Sequence, residues 1–298
     1  MFDCEIGINS CLNIFQKIKS FSNLKLSTRH FMEISQLITL YIPNLKSINH
    51  EIRSGSGVVK FKTSLVEVVH NQLNPNQTGY DKQCDFIYNT FLQCLTHALG
   101  FNPFGYENER SGALVHDIKP IANMLNTVSS LSRNSFPWHT DAAFLSRELR
   151  PNSLSLMCIE NHSPTGTHLA SLSETLKLLS SEMIDALTQS DFIHVAPSTF
   201  KNKHTKVHGS ILSKKNHGYE IRCATHNTQA VTEKAKKAFY ELKKSLELNK
   251  KTHLWTSGDC LVFNNNCVLH SRDKFKGHRW LKRCYGSTHL SWREVLDI

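Results

Sequence analysis

Short strand-like segments separated by turn residues dominate the chain from about residue 111 onward, and this pattern constrains the fold most. The segments are GALVHDI, SLSLMCI, FIHVA, YEIRCA, CLVFNN and RCYGSTHL. Many short strands with few helices are typical of a β-sandwich or barrel. Two helical segments interrupt them, SLSETLKLLSSEMIDALTQ and VTEKAKKAFYELKKSL. The sequence therefore predicts a mainly β fold with flanking helices, an α+β architecture.

The first hundred residues have a different pattern. Apolar residues recur three and four positions apart in CLNIFQKIKSF, RHFMEISQLITLYI and DFIYNTFLQCLTHALG, which predicts helices, the last ending at Gly100. The segment VVKFKTSLVEVV alternates apolar and polar residues as a strand does. Because no linker marks a boundary, we expect a single domain over residues 1–298. In it, a mainly helical part (1–100) packs on a β core of about 101–298.

The formal net charge of +10 and the pI of about 9.1 bear on possible partners, since a basic surface is the first sign of phosphate binding. Much of the charge lies between Lys201 and Lys251, partly in a segment with helical spacing. We interpret this run as the solvated face of a helix. Nucleic-acid binding and attraction of an anionic small substrate are the alternatives. Neither nucleic acid nor membrane is expected as a partner, and the oligomeric state stays open.

Cysteine usage and the first residues indicate the compartment. The nine cysteines include no CxxC pair and no zinc-like spacing. The opening MFDCEIGINS has acidic residues where a secretory signal has basic ones, and no apolar stretch is long enough to cross a bilayer. We therefore expect reduced thiols in a cytoplasmic protein.

A candidate metal site is built on the segment PWHTDAAF, which contains His139 and Asp141. In a strand, a spacing of two directs both side chains to the same face. The strand-like run CLVFNNNCVLH ends at His270, which could supply a third ligand. Two imidazoles and a carboxylate on one face of an octahedral ion leave three positions open, as Fe(II) needs for a chelating cosubstrate and O₂. By itself the pair is equally consistent with a surface histidine beside a turn-capping aspartate.

Two arginines, Arg279 and Arg283, follow in SRDKFKGHRWLKRCYG. Arginine presents a planar fork to a carboxylate, so one of them could hold the far end of a dicarboxylate that chelates the ion. An edge strand with solvated charges is the other interpretation of this run.

Five motifs in this order resemble one enzyme family: WHTDAAF, RPNSLSLMCIEN, GTHLASL, SGDCLVFNNNCVLHSR and HRWLKRCYG. Over roughly Leu99 to Leu290 they are similar to the clavaminate synthase-like branch of the TauD/TfdA oxygenases, which includes hydroxylases of free arginine and asparagine. The resemblance implies a double-stranded β-helix, or jelly-roll, core. It also implies a non-haem Fe(II)- and 2-oxoglutarate-dependent dioxygenase that uses O₂ and releases succinate and CO₂.

The reaction implied by the resemblance is hydroxylation of an unactivated C–H bond, at the β or γ carbon of a free L-amino acid. The same chemistry on a carrier-tethered amino acid, a peptide or another small carboxylic acid is the alternative. A metal-binding jelly roll without turnover is a further alternative.

The resemblance also assigns roles residue by residue. His139 and Asp141 match the HxD/E iron ligands, and His270 matches the distal histidine ligand. Thr167, in GTHLASL, matches the threonine that binds 2-oxoglutarate, and Arg279 matches the arginine that pairs with its carboxylate.

Further residues are assigned to the substrate side. Arg283 matches a neighbour that reaches the cosubstrate or the substrate carboxylate, and Ser129 and Ser130 lie where relatives contact the amino acid backbone. The polar, aperiodic segment STFKNKHTKVHGS (198–210) is predicted to be a lid. YEIRCATHN lacks the acidic pair expected for gripping a guanidinium. We therefore expect a neutral or modestly polar amino acid as substrate and arginine as a poor one.

Overall fold

A computed structural model describes residues 2–22, 24, 26–122, 128–197, 200, 206–216 and 218–298. The strands are β1 (Phe2–Ile6), β2 (Val58–Thr63), β3 (Asn102–Tyr106), β4 (Val115–Ile118), β5 (Phe136–His139), β6 (Ser153–Asn161), β7 (Thr167–Ser171), β8 (Phe192–Val195), β9 (Lys206–Gly209), β10 (Leu212–Lys215), β11 (Gly218–Ile221), β12 (Thr228–Ala230), β13 (Lys251–His253), β14 (Asp259–Asn264), β15 (Val268–Arg272), β16 (Arg279–Ser287) and β17 (Glu294–Leu296). The α-helices are α1 (Ile8–Lys19), α2 (Thr28–Tyr41), α3 (Leu45–Ser54), α4 (Leu65–Gln72), α5 (Tyr80–Ala98), α6 (Leu172–Leu176), α7 (Ser181–Thr188) and α8 (Glu233–Leu248), and a 3₁₀ turn covers Arg110–Gly112.

Two sheets form the β core. The larger has the strand order β1-β2-β14-β6-β16-β3-β17, with β4 also paired to β16, and the smaller has the order β13-β7-β15-β5. Phe104, Leu156 and Phe263 of the larger sheet belong to the same hydrophobic cluster as Leu169 and Val268 of the smaller one. The two sheets therefore enclose an apolar core between them. The α+β architecture predicted from the sequence is confirmed.

The sequence of the central strand β6 is almost continuously apolar because both of its faces are buried. Leu156 and Cys158 belong to the cluster between the sheets, whereas the intervening Met157 and Ile159 belong to the cluster formed with the N-terminal helices. Successive side chains of a strand point to opposite faces. Both faces of the larger sheet are therefore covered, one by the smaller sheet and the other by α1 to α5.

The N-terminal part differs from the sequence prediction in two places. Phe2–Ile6, within a region predicted to be largely helical, is a strand that pairs in parallel with β2. The predicted strand VVKFKTSLVEVV ends at Thr63, and Leu65–Gln72 continues as a helix. In that helix the buried residues Leu65, Val66, Val68 and Val69 have helical spacing. A short apolar run of β-branched residues fits either structure until packing decides between them.

The predicted helices are otherwise confirmed, with one division. Helix α5 ends at Ala98, and Gly100 follows with a φ of +78°, a conformation that suits glycine. The predicted helix SLSETLKLLSSEMIDALTQ is two helices, and the hydroxyl of Ser180 caps the second by accepting a hydrogen bond from the N–H of Met183. The lysines of α8 face solvent, as predicted. Within the described residues no helix is both long and apolar enough to span a membrane.

Candidate metal centre and active site

His139, Asp141 and His270 meet at the edge of the smaller sheet. His139 ends β5 and lies opposite His270 of the antiparallel strand β15, so that their ring centroids are 3.9 Å apart. The Oδ1 atom of Asp141 lies 3.4 Å from the Nε2 atoms of both histidines. One potential ligand atom from each of the three residues therefore lies within 4.8 Å of the others.

The local structure differs from the sequence interpretation in detail. Asp141 does not share a strand with His139, because β5 ends at His139 and Asp141 lies in the following turn. His270 does not end a strand continuous with CLVFNN; it lies inside β15, and a turn at 265–267 separates that strand from β14 of the other sheet. The strand-face argument for Asp141 was therefore wrong, although the three side chains do converge.

Asn265 holds the turn that carries Asp141. Its side-chain Oδ1 accepts a hydrogen bond from the N–H of Asp141 at 2.8 Å, and its Nδ2 donates to the carbonyl oxygens of Asp141 at 3.0 Å and Pro151 at 3.1 Å. All three contacts are buried. The Asn265 amide thus makes the hydrogen bonds to the Asp141 backbone that a neighbouring strand would otherwise make.

The Asn265→Ala variant is expected to lose about 2–4 kcal/mol of unfolding free energy, because three buried hydrogen bonds and their backbone partners are affected. It should also bind Fe(II) more weakly, since the turn no longer holds Asp141. Urea unfolding and anaerobic Fe(II) titration measure the two effects. Asn266→Ala is the matched control, because the Oδ1 of this buried neighbour has no hydrogen bond among the described residues. Equal effects of the two variants would contradict the role given to Asn265.

The hydrogen bonds of His139 suit a metal ligand. Its Nδ1 lies 2.8 Å from the carbonyl oxygen of Pro137, so Nδ1 carries the proton and donates it. Nε2 then carries a lone pair, is buried, and makes no hydrogen bond within the described part of the chain. A backbone acceptor on one ring nitrogen is the usual support of a metal-bound histidine. Two imidazoles and a carboxylate that face one another in this way fit a divalent cation such as Fe(II).

Arg283 sets the charge of Asp141. Its Nη1 donates to Oδ2 of Asp141 at 2.6 Å, and its Nη2 contacts Oε1 of Glu109 at 2.7 Å and Nδ1 of His116 at 2.8 Å. Burial by itself would raise the pKa of Asp141, but the adjacent guanidinium holds that pKa well below its ordinary value. Asp141 is therefore ionised, with Oδ2 occupied by Arg283 and Oδ1 turned toward the histidines.

His116 and Tyr285 complete this network. Burial, and then the charge of Arg283, lowers the pKa of His116 to about 4, so its ring is neutral. Its Nε2 donates to the carbonyl of Ala113 at 2.9 Å, which leaves Nδ1 to accept from Arg283. The Tyr285 hydroxyl donates to Oε2 of Glu109 at 3.1 Å. Both carboxylate oxygens of Glu109 thus accept hydrogen bonds from protein side chains, one from Arg283 and one from Tyr285.

A second basic group, Arg279, lies beside Thr167. The Nη2 of Arg279 donates to Oγ1 of Thr167 at 2.9 Å, and the indole N–H of Trp255 donates to the same oxygen at 2.9 Å. The hydroxyl proton of Thr167 is therefore left to donate outward. Arg279 is only 4% exposed and pairs with no acidic side chain among the described residues. Burial, and then the nearby Arg272, lowers its pKa to about 9, which still leaves it protonated at neutral pH.

Two cavities meet at this centre. The first cavity has a volume of about 710 Å³ including its open mouth, and its lining includes Glu109, Asp141, Phe144, His194 and Phe200. The second cavity, about 460 Å³, reaches Thr167 and Arg279 past His270. Four residues line both cavities: Ser130, Phe136, His139 and Arg283. The candidate metal site therefore lies between a smaller compartment lined by a buried guanidinium and a larger compartment.

The serines and the predicted lid lie along the first cavity. Ser129 and Ser130 both line it. Of the predicted lid, residues 198, 199 and 201–205 lie outside the described residues. Phe200 lines the first cavity, and Lys206–Gly209 forms β9, paired with β8.

Comparison with known proteins decides the family. The model of the family described as taurine catabolism dioxygenase TauD, TfdA family, matches residues 90–285, more than half of the chain. The chain belongs to the TauD/TfdA family. It is 27% identical over 198 residues to the L-asparagine oxygenase of Streptomyces coelicolor, a match that covers 63% of this chain and 59% of that protein. The matched region is thus less than two thirds of that relative's length.

Solved structures of TauD-fold oxygenases superpose on nearly the whole chain. Asparagine oxygenase in complex with Fe(II), 2S,3S-3-hydroxyasparagine and succinate has a TM-score of 0.78 at 20% identity, covering 97% of this chain and 94% of its own. The non-haem iron oxygenase OrfP in complex with Fe and α-ketoglutaric acid has a TM-score of 0.78 at 20% identity, covering 97% and 95%. These likenesses show the fold, and the predicted jelly-roll core is confirmed.

Several residues of this TauD/TfdA-family site were not predicted from the sequence. Glu109 lies within the region of the resemblance, Leu99 to Leu290, but nothing local indicated its pairing with Arg283 and Tyr285. Asn265 and Trp255 act on Asp141 and Thr167 from 124 and 88 residues away along the chain. No sequence signal reports contacts at such separations.

Proposed function

We propose that this chain is an Fe(II)- and 2-oxoglutarate-dependent dioxygenase that hydroxylates an unactivated C–H bond, at the β or γ carbon, of a free L-amino acid. The observation that carries the proposal is the junction of two cavities at His139, Asp141 and His270, one of which is lined by a buried guanidinium. Membership of the TauD/TfdA family and the match to a curated L-asparagine oxygenase support it.

His139, Asp141 and His270 would hold the metal ion. When bound, Fe(II) would couple oxidative decarboxylation of 2-oxoglutarate by O₂ to hydroxylation, one oxygen atom entering the substrate C–H bond and the other entering succinate, with release of CO₂. Arg283 keeps Asp141 ionised and occupies its Oδ2, which leaves Oδ1 as a single ligand atom. Three protein ligands leave coordination positions open for small molecules.

Arg279 and Thr167 would bind 2-oxoglutarate at the end of the second cavity. A buried guanidinium without an acidic partner is unfavourable until an anion pairs with it. The two-pronged geometry of guanidinium and carboxylate suits the distal end of a dicarboxylate. Thr167 accepts from both Arg279 and Trp255, so its own proton is directed to the ligand.

The first cavity would bind the amino acid. Glu109 presents a carboxylate that can pair with the substrate ammonium group. Arg283 lines the same cavity, and its buried Nε–H has no hydrogen-bond partner among the described residues, so it can donate to a carboxylate of the substrate or cosubstrate. Ser129 and Ser130 line this cavity and would contact the substrate backbone. The opposite charges of Glu109 and Arg283 therefore suit the ammonium and carboxylate groups of a zwitterionic amino acid.

We also propose that the chain acts as one oxygenase domain in a reducing cytoplasm. The pairing of β1 and β2 into the larger sheet ties the N-terminal part to the core and supports the first point. All nine cysteines are free thiols, which supports the second.

A panel of the twenty amino acids tests the function. Anaerobic protein with Fe(II) and 2-oxoglutarate is mixed with each amino acid, O₂ is admitted, and products are examined by mass spectrometry for a gain of one oxygen atom. Arginine is expected to have a kcat/KM at least about tenfold below that of the best substrate, because a guanidinium here would lack a free acidic partner. Of the two acidic residues that line the first cavity, Asp141 is a proposed metal ligand and Glu109 is proposed to pair with the substrate ammonium group, which leaves no acidic side chain of the described lining for a guanidinium.

The alternatives give different results in the same assay. Oxygen gain only with amino acids presented as carrier thioesters or peptides would identify a tethered substrate. Absence of succinate release with every free and tethered substrate would overturn the enzymatic proposal. Arginine as the best of the twenty would refute the expected selectivity but not the chemistry.

A further inference from the structure

Arg272, the last residue of β15, lines the second cavity together with Arg279. The residue is buried, with 6% of its surface exposed. Its guanidinium donates two hydrogen bonds to backbone carbonyl oxygens, from Nη1 to Ser132 at 3.0 Å and from Nη2 to Asn134 at 2.8 Å. Neither bond brings an opposite charge to this buried cation.

The guanidinium groups of Arg272 and Arg279 lie over the same aromatic ring. Their central carbon atoms are 4.6 Å and 5.9 Å from the centre of the Phe275 ring. The hydrogen bonds of both arginines within the described residues go to neutral oxygens. After burial, the charge of Arg272 is the next cause of the lowered pKa of Arg279. Two buried like charges repel, so an anion in the second cavity would stabilise both of them in place.

The carbonyl oxygens bound by Arg272 belong to residues 129–134, which we call the serine turn. Within it, the carbonyl oxygen of Ser129 accepts hydrogen bonds from the N–H of Ser132 at 3.2 Å and from the Ser132 hydroxyl at 3.1 Å. Ser129 lines the first cavity, and Ser130 lines both cavities. The hydrogen bonds of Arg272 therefore support part of the wall of the cavity that is proposed to bind the amino acid.

Phe275 provides a second link between the two guanidinium groups and the serine turn. Its backbone N–H donates to the carbonyl oxygen of Arg133 at 3.0 Å. The carbonyl oxygens of three successive residues, 132–134, are thus all bound by the segment that follows His270. Because the pairing of β15 with β5 is irregular between His270 and Arg272, these contacts fix the turn where a continuous strand ladder does not.

We propose that Arg272 is a positioning residue that couples the two cavities, so that an anion in the second cavity fixes the serine turn beside the first. This inference rests on the proposed function and deepens it. When the distal carboxylate of 2-oxoglutarate offsets the repulsion between Arg272 and Arg279, Arg272 keeps its hydrogen bonds to the serine turn. The serines that line the first cavity are then held where the amino acid binds. Because coupling between sites is reciprocal, the amino acid in turn tightens the binding of 2-oxoglutarate.

Calorimetric titration of 2-oxoglutarate into anaerobic protein with Fe(II) measures this coupling, with and without a saturating concentration of the best amino acid of the panel. In the parent protein the amino acid should lower the Kd of 2-oxoglutarate by about tenfold, within the ordinary range for coupled sites. In Arg272→Met this ratio should fall below about threefold. The KM of the amino acid should rise by about tenfold or more in this variant, with a smaller change in kcat.

Arg133→Met is the matched control, because Arg133 lies in the same turn and its side chain is exposed. It should keep the coupling of the parent within about threefold, since substitutions of exposed side chains have small effects. Arg272→Lys should lie between the parent and Arg272→Met, because an ammonium keeps the charge but lacks the planar fork that reaches two carbonyl oxygens. If Arg272→Met does not fold, Arg272→Lys decides, and a coupling equal to that of the parent overturns the role of Arg272.

Hydrogen exchange of residues 128–136 tests the coupling without turnover. In the anaerobic parent with Fe(II), 2-oxoglutarate should slow the amide exchange of this segment by at least about fivefold, whereas in Arg272→Met the change should be less than about twofold. Pyruvate is the control ligand, because it has the same 2-oxo acid group and no distal carboxylate. An effect of pyruvate equal to that of 2-oxoglutarate would place the signal at the metal site and overturn the role of Arg272.

The outcomes separate this inference from the proposed function. If 2-oxoglutarate leaves the exchange of the serine turn unchanged in the parent, or slows it equally in Arg272→Met, the inference is overturned and the proposed function is not. A lower melting temperature of Arg272→Met with unchanged coupling would show that Arg272 supports only the fold. Absence of oxygen gain with every amino acid overturns the proposed function, and the exchange measurement then still decides for or against Arg272.

Discussion

Replacing His270 with alanine is expected to abolish turnover and to weaken Fe(II) binding by at least about a hundredfold, since even the loss of a residue supporting a metal ligand costs 10–100-fold. The physical reason is that His270 supplies one of three facing ligand atoms, and a histidine and a carboxylate alone cannot hold the open-faced site. Anaerobic Fe(II) titration and succinate release measure the two effects. The fold should persist, because the Nδ1 of His270 makes no hydrogen bond within the described residues.

A matched control is His168→Ala, another histidine of the smaller sheet. His168 contacts Thr252 at 2.8 Å and Asp273 at 2.9 Å and does not line either cavity. It should keep the Fe(II) affinity of the parent. If His270→Ala binds iron and turns over like the parent, the proposed ligand set is wrong.

Arg279→Ala should raise the apparent constant for 2-oxoglutarate by more than tenfold. A charge-assisted contact in a desolvated pocket commonly contributes about 2–5 kcal/mol, and about 1.4 kcal/mol already corresponds to a factor of ten. Arg279→Lys should recover part of the loss, because an ammonium keeps the charge but lacks the planar fork. Fe(II) affinity without cosubstrate should hardly change, because Arg279 contacts Thr167 and none of the proposed ligands.

Arg283→Ala must be measured beside it, because the two arginines compete for the role. Arg283 contacts Asp141, Glu109 and His116, so we expect its loss to act mainly on Fe(II) binding and turnover. The 2-oxoglutarate constant should change less than in Arg279→Ala. If Arg283→Ala loses 2-oxoglutarate binding while Arg279→Ala retains it, the two roles exchange.

Much of the fold was readable from local patterns. Helices such as α5 and α8 repeat apolar residues at helical spacing, and α5 ends before a glycine in the left-handed conformation. These features depend on neighbours within a few residues. The sequence prediction missed strand β1, and only the first half of VVKFKTSLVEVV is a strand. The reason is that short apolar runs acquire their structure from the elements that they pack against.

The candidate site divides in the same way. The order of five motifs along the chain was sufficient to nominate His139, Asp141, His270, Thr167 and Arg279. Their meeting depends on strand pairing across the fold: β15 aligns His270 with His139, and Thr167 contacts Arg279 across 112 residues.

What the sequence by itself determined is the set of chemical groups and the local elements that carry them. Only the tertiary structure decided that Asn265 holds the Asp141 turn and that Arg283 forms ion pairs with Asp141 and Glu109. It also decided that Arg279 is buried and donates to Thr167. The physical reason is that burial and charge pairing depend on which distant segments become neighbours, whereas periodicity along the chain reports only which face of an element is apolar.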